Sequence, residues 1–274
     1  MLSPETAESA RSWYETGVRR IGTETAGIGI NYLERAIPVF AEVGDLRHLT
    51  YARHYVLYAL KQDERFEEVE GRFADAMTGY AELGDTYGQA LLLAHLADSL
   101  AAQGRWERAH ALFNLAAVVA ENDQHRDIVV HVLWQQGLLC RQRDNLTHAV
   151  ELFQRAERLL DKESGGGRLP QLRFLRAQVL SLLGETAEAI ALLEDVQTHL
   201  LRTNRNQLAM EPLNLLRRLY EDEGMAEERA RVSQLMHLSG QRMIQADLLP
   251  RLTEHLGPPI DPALGQAGAP AGSA

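Results

Sequence analysis

Ten histidines and one cysteine are the side chains of this 274-residue chain best suited to hold a metal or attack a carbonyl, and their spacing supports neither. A helix-borne zinc pair needs two histidines four apart, as in His-Glu-x2-His, because that offset turns both imidazoles to one face. No such pair occurs, and His125 and His131, six apart, point in different directions on a helix. Cys140 falls at a forty-residue offset from Leu60, Leu100, Leu180 and Tyr220, a column in which a thiol is a small core residue. No Gly-x-Ser-x-Gly elbow occurs. Gly165, Gly166 and Gly167 lack the Gly-Lys-Ser/Thr that completes a phosphate loop, so they are expected to be a linker. The carboxylate runs Glu67, Glu68, Glu70 and Glu221, Asp222, Glu223 are expected on solvated helix faces. No catalytic residue, metal site or cofactor is predicted, and the chain is not expected to be an enzyme.

The same forty-residue offset organises the rest of the chain. One column reads Ala36, Ala76, Ala116, Ala156, Val196; three residues earlier stand Leu33, Phe73, Phe113, Phe153, Leu193; four earlier again stand Gly29, Val69, Ala109, Ala149, Ala189. Three columns with fixed mutual offsets define a repeat array. Offsets of four, three and seven return to nearly one angle on a helix, so small, large and small side chains share a face that a neighbouring helix can approach closely. A second helix lies upstream in each unit, as in YGQALLLAHLADSLAAQ and DIVVHVLWQQGLLCRQ. The link inside each pair carries Gly104, Asp144, Gly184 and Gly224 in one column, suited to a left-handed helix end. Between pairs, AEVGDL and AELGDT place a helix-ending glycine before an aspartate that can cap the next helix.

These features resemble the tetratricopeptide repeat (TPR), whose pattern runs aromatic-x2-Leu-Gly-x2-Tyr, then Ala-x3-Phe-x2-Ala. Trp13 with Gly17 and Leu133 with Gly137 match its first half; Ala109-Phe113-Ala116 and Ala149-Phe153-Ala156 match its second. The resemblance implies an all-α fold, a right-handed α-α superhelix (TPR-like solenoid) of six helix hairpins over residues 1–256, with units starting near 10, 50, 90, 130, 170 and 210. Unit six is degenerate, with Arg229 and Ser233 where Ala and Phe would stand. A forty-residue unit exceeds the usual ~34, which adds roughly 9 Å of helix per pair at ~1.5 Å per residue. Units of that length look like those of kinesin light chains and of the sensor regions of bacterial signal-transduction ATPase and peptide-responsive regulators. After Gly240, Ile244, Leu248, Leu252 and Leu256 form a stripe on a predicted capping helix, 241–256, which could also dock a second copy. Residues 257–274 form a Pro/Gly/Ala tail expected to be disordered.

In TPR arrays the first helix of every pair lines a concave groove that holds peptides or partner helices. The resemblance places Tyr14, His54, Ala94, Trp134, Phe174 and Asn214 in one groove column, with Tyr51 and His131 three residues before theirs. A further column holds Tyr58, Asp98, Leu138 and Gln178. One TPR subtype grips a chaperone's C-terminal carboxylate with Lys and Asn, but the matching positions here hold His54, Tyr58, Ala94, Asp98, Trp134 and Leu138, so that clamp is absent. A column gathering Tyr, His, Trp and Phe in a chain with 6% aromatic residues favours anchoring an apolar or amphipathic segment.

Composition narrows the partner. A net charge of -10 opposes a broad phosphate-binding face, so nucleic acid is not expected. The start MLSPETAESARSWYETGVRR has acidic residues where a signal peptide needs a basic and then apolar run, and no apolar stretch is long enough to cross a membrane. A soluble, cytoplasmic protein is expected. Two roles remain open: a non-catalytic scaffold or adaptor that binds a peptide or amphipathic helix of another protein, and a ligand- or peptide-responsive regulator of a downstream signalling or transcription protein.

Overall fold

The computed structural model describes residues 4–21, 26–160 and 168–256, and the side chains of residues 6–21, 27–160 and 168–243. Among the described residues there are helices and no strand. They pair in chain order: α1 (Pro4–Arg20) with α2 (Ala26–Val43), α3 (Leu46–Gln62) with α4 (Phe66–Leu83), α5 (Thr86–Ala102) with α6 (Trp106–Asn122), and α7 (Arg126–Gln142) with α8 (Leu146–Leu159). Then come α9 (Arg168–Leu183) with α10 (Thr186–Arg202), and α11 (Asn206–Asp222) with α12 (Ala226–Leu256). Two compact units result, one up to Leu172 and one from Arg173. The expected all-α hairpin repeat is the fold observed.

The nine helix junctions among the described residues are built in the same way, two to each forty-residue unit. The backbone turns left-handed at Gly44, Glu64, Gly84, Gly104, Gln124 and Asp144, and again at Gly184, Asn204 and Gly224, twenty residues apart within each run. At each junction the following N–H reaches back across the last turn, as from Asp85 to the Tyr80 carbonyl at 3.0 Å and from His125 to the Ala120 carbonyl at 2.8 Å. That bond closes a Schellman motif and satisfies a carbonyl the helix leaves open. After two of these turns the aspartates cap as expected: Asp45 accepts from the His48 N–H at 3.2 Å and Asp85 from the Gly88 N–H at 2.8 Å. The three-glycine linker, residues 165–167, lies outside the described residues.

Where the left-handed residue is not glycine, its Cβ crowds the backbone. Gln124, exposed with φ +59°, carries that strain. Gln124→Gly is expected to raise the urea midpoint, by on the order of 0.5 kcal/mol after the entropy glycine adds to the unfolded chain, whereas Gly84→Ala should lower it by about 1 kcal/mol. Equal midpoints for both variants would contradict the junction geometry.

The repeat columns form the core. Ala36, Ala76, Ala116 and Ala156 are sealed from solvent, as are Leu33, Phe113, Phe153 and Leu193; Phe73 is only partly covered. Alanine admits the next helix, and the ring beside it fills the gap. Glycine permits the closest approaches: a Cβ added to Gly137 on α7 would lie 2.5 Å from the Phe153 ring on α8. In the first unit α1 touches α3, α3 touches α5, and α5 touches α7, so the first helices form one continuous wall. The second helices are joined by ion pairs instead, Glu34–Arg72 at 2.7 Å, Glu70–Arg108 at 2.8 Å and Glu121–Arg155 at 2.6 Å. Such exposed pairs contribute ~0–1 kcal/mol each. In the second unit, α12 runs unbroken from Ala226 to Leu256 through Gly240, a residue that weakens a helix without ending it. The side chains of Ile244, Leu248, Leu252 and Leu256, and the tail 257–274, lie outside the described residues.

Candidate functional site

The wall of first helices opens into a cavity of about 320 Å³ between α3 and α5. Four positions on α3 line it, Tyr51, His54, Tyr55 and Tyr58, because offsets of three and four residues keep them on one face. From α5 come Tyr87, Leu91 and His95. Tyr80, at the end of α4, and Asp85, the cap of α5, close the side between them. Gly88 lets the Tyr80 ring lie against the α5 backbone: a Cβ there would stand 2.1 Å from the ring.

Most of the polar atoms in this wall are committed to one another. His54 Nδ1 lies 2.5 Å from the Tyr80 hydroxyl and His54 Nε2 lies 3.0 Å from His95 Nδ1. A neutral His54 has a single N–H, so it donates to one of these neighbours and accepts from the other. Burial holds it neutral, pushing its pKa from the usual 6.5 to about 4, and burial pushes His95 the same way. The Tyr51 hydroxyl donates to Asp85 at 3.3 Å and the Tyr87 hydroxyl to Asp127 at 2.8 Å. Burial raises the pKa of both phenols, and the adjoining carboxylates raise it further.

One turn beyond the cavity, Lys61 Nζ meets Asp98 at 2.9 Å, and His131 on α7 lies 3.5 Å from the same carboxylate oxygen. The Asp98 side chain is 9% exposed. Burial acts to raise its pKa, but the neighbouring His131 and the Lys61 charge outweigh burial and hold it below the usual carboxylate range. Lys61 also stands 5.7 Å above the centre of the Tyr58 ring.

The structure thus brings together Tyr51, His54 and Tyr58 in one cavity and Asp98 with His131 beside it. Tyr14 belongs to an adjoining cluster, edge-on to Phe40, His48 and Tyr55 at 5.4–6.2 Å. Trp134 and Leu138 are half-buried on α7 and do not line the cavity; Phe174 and Gln178 are half-buried on α9, in the second unit. His54 is 8% exposed, less open than a groove position implies, because Tyr80 and His95 cover it. The columns missed Tyr55 and His95, which stand one residue along from His54 and Ala94; a helix face is wider than a single column. They also missed Tyr80 and Tyr87. Tyr80 occupies a core column with Phe40 and Ala120, and nothing local marks its hydroxyl as meeting His54, 26 residues away.

Among the described residues no group of three or more His, Cys, Asp or Glu side chains could hold a metal ion. No helix among them is long and apolar enough to cross a membrane.

This is the fold of TPR-like helical repeat proteins. Over 97% of its length the chain matches 98% of BtubC from P. vanneervenii, with a TM-score of 0.66 at 12% identity. It also matches the signal-transduction ATPase with a tetratricopeptide repeat sensor from Pyrococcus horikoshii, with a TM-score of 0.70 at 13% identity, covering 91% of this chain and 39% of that one. A Rap protein complexed with competence and sporulation factor matches with a TM-score of 0.58 at 14% identity, over 89% of this chain and 67% of the other. No protein-family model and no curated protein matches the chain.

Proposed function

We propose that the chain is a non-catalytic adaptor that holds a peptide or helical segment of a partner protein against the wall formed by α3, α5 and α7. The tyrosine-lined cavity carries this proposal: large rings fixed on rigid helices offer much contact area while losing little rotamer freedom on binding. Support of a second kind comes from proteins of like fold. One Rap protein is complexed with competence and sporulation factor, and the Rap conjugation gene regulator of plasmid pLS20 with the Phr* peptide. The latter favours a second role, in which a bound peptide changes the affinity of this chain for a downstream protein.

Tyr55 and Tyr87 are the best probes, being 37% and 41% exposed. The double variant Tyr55→Ala/Tyr87→Ala gives up ring contacts with Tyr14, His54 and His125 and the Tyr87–Asp127 bond, so it should lose about 1–3 kcal/mol of stability while keeping a cooperative melt, yet lose the proteins that copurify with the wild type, read by affinity purification and mass spectrometry. An unchanged set of partners removes the cavity from the interaction. A peptide that raises the melting temperature and alters the X-ray scattering profile selects the regulator over the plain adaptor.

A further inference from the structure

The chemistry of the cavity wall narrows what enters it. Five tyrosines and two neutral histidines surround one carboxylate, Asp85, and no cationic side chain lines the space. Arg47 and Arg168 act on Tyr51 and Tyr87 from beyond the wall, and Asp127 holds the Tyr87 hydroxyl at its edge. An anion would face Asp85 and find the hydroxyls of Tyr51 and Tyr87 already donating to carboxylates. What remains open to an occupant is ring faces, which carry partial negative charge, the hydroxyls of Tyr55 and Tyr58, and Asp85, whose oxygens each accept one bond, from Tyr51 and from the Gly88 N–H, and keep further acceptor capacity. The protein itself twice sets a cation over a ring: Lys61 stands over Tyr58, and Arg35 stands 4.4 Å above the Trp13 ring. Lys61 does not line the space, although it covers one face of Tyr58 and its charge reaches His54 and His95; Asp98 pairs with that charge outside the cavity, and Asp85 supplies the negative charge within it.

We propose that this cavity is a cage for an organic cation, the guanidinium of an arginine side chain presented by the partner peptide. It deepens the adaptor role proposed above and rests on it. Size favours a single side chain, because about 320 Å³ lies at the low end of ligand pockets, which run from ~300 to 1,000 Å³. Shape favours guanidinium over ammonium: a planar, weakly hydrated cation stacks on aromatic faces and donates in-plane to a carboxylate. The net charge of -10 adds long-range attraction for a basic segment.

The test is calorimetric titration of the full chain at low ionic strength with an acetylated, amidated alanine peptide carrying one central arginine. Matched peptides replace it by citrulline, which keeps the shape and removes the charge, or by lysine. The arginine peptide should bind saturably and the citrulline peptide about tenfold more weakly or worse. Tyr55→Ala/Tyr87→Ala should cost a similar factor. So should Asp85→Asn, which retains an oxygen to cap α5 and should therefore keep the fold, checked by its melt. Equal affinity for arginine and citrulline peptides, or no binding at millimolar concentration, overturns the cage. Preference for lysine overturns the guanidinium assignment. If the tyrosine variant still loses the copurifying partner while the arginine peptide shows no preference, the cation cage fails and the adaptor role stands. If wild type and variant capture the same proteins, the adaptor role itself fails.

Discussion

Phe153→Ala is expected to cost about 3–5 kcal/mol, enough to unfold a large share of a typical domain near physiological temperature. Its ring is sealed from solvent and sits against the α-carbon of Gly137 across the α7–α8 hairpin, so truncation leaves a void that backbone on both sides cannot easily close. Gly137→Ala probes the same contact from the other helix. Alanine favours helix by about 1 kcal/mol over glycine, but a Cβ 2.5 Å from the ring must displace it, and overpacking of this kind costs about 1–3 kcal/mol. The displacement should therefore win, giving a net loss. Combining Gly137→Ala with Phe153→Leu should recover part of it, because the smaller side chain vacates the space the new methyl needs. Urea denaturation of wild type, Gly137→Ala, Phe153→Leu and the double variant measures the coupling, expected at ~0.5–3 kcal/mol. Strict additivity would show that the two residues do not share one packed contact.

That contact shows why the fold could be read from the residues and the site only in part. Ala109-Phe113-Ala116 and Ala149-Phe153-Ala156 declare a helix face directly, because the periodicity of burial is a property of neighbouring positions. Junctions at Gly44, Gly84, Gly104, Gly184 and Gly224 were visible for a similar reason: glycine marks the left-handed turn. Glu64, Gln124 and Asn204 carry no glycine, so their left-handed backbone is seen only in the structure. In the cavity, Tyr51, His54 and Tyr58 follow from helical spacing on α3, whereas Tyr80 and Asp85 enter from the adjoining helix end and cap. Their contribution depends on how α4 returns against α3 and α5, a tertiary relation that no column of similar residues records. The pairing of Lys61 with Asp98, 37 residues apart, is hidden in the same way.

Acid should destabilise the protein from pH 6.5 down to about 4, a loss that begins well above the pH at which its carboxylates protonate. His54 and His95 are the identified sources. In the unfolded chain His54 takes up a proton near pH 6.5, but in the folded protein only near 4, because burial strips water from the charged ring and the Lys61 charge opposes protonation, while Asp85 offsets part of both. Across that window the unfolded state binds more protons, so stability falls as pH falls. At 1.36 kcal/mol per tenfold change in proton affinity, the depression from 6.5 to about 4 corresponds to about 3 kcal/mol. His95, depressed in the same direction by burial, adds to the loss. Asp98 acts elsewhere: its folded pKa is lowered below 3.8, so the stability it contributes is lost only as pH falls through that lower value. Urea midpoints measured from pH 7 down to 4.5 should therefore decline steadily. His54→Gln keeps a donor and an acceptor near Tyr80 and His95 but cannot titrate, so it should be less stable at pH 7 and show a shallower decline. A wild-type midpoint that stays flat to pH 4.5, or a variant whose slope equals the wild type's, would show that His54 is not held neutral by the wall of Tyr80, Tyr55 and His95 that encloses it.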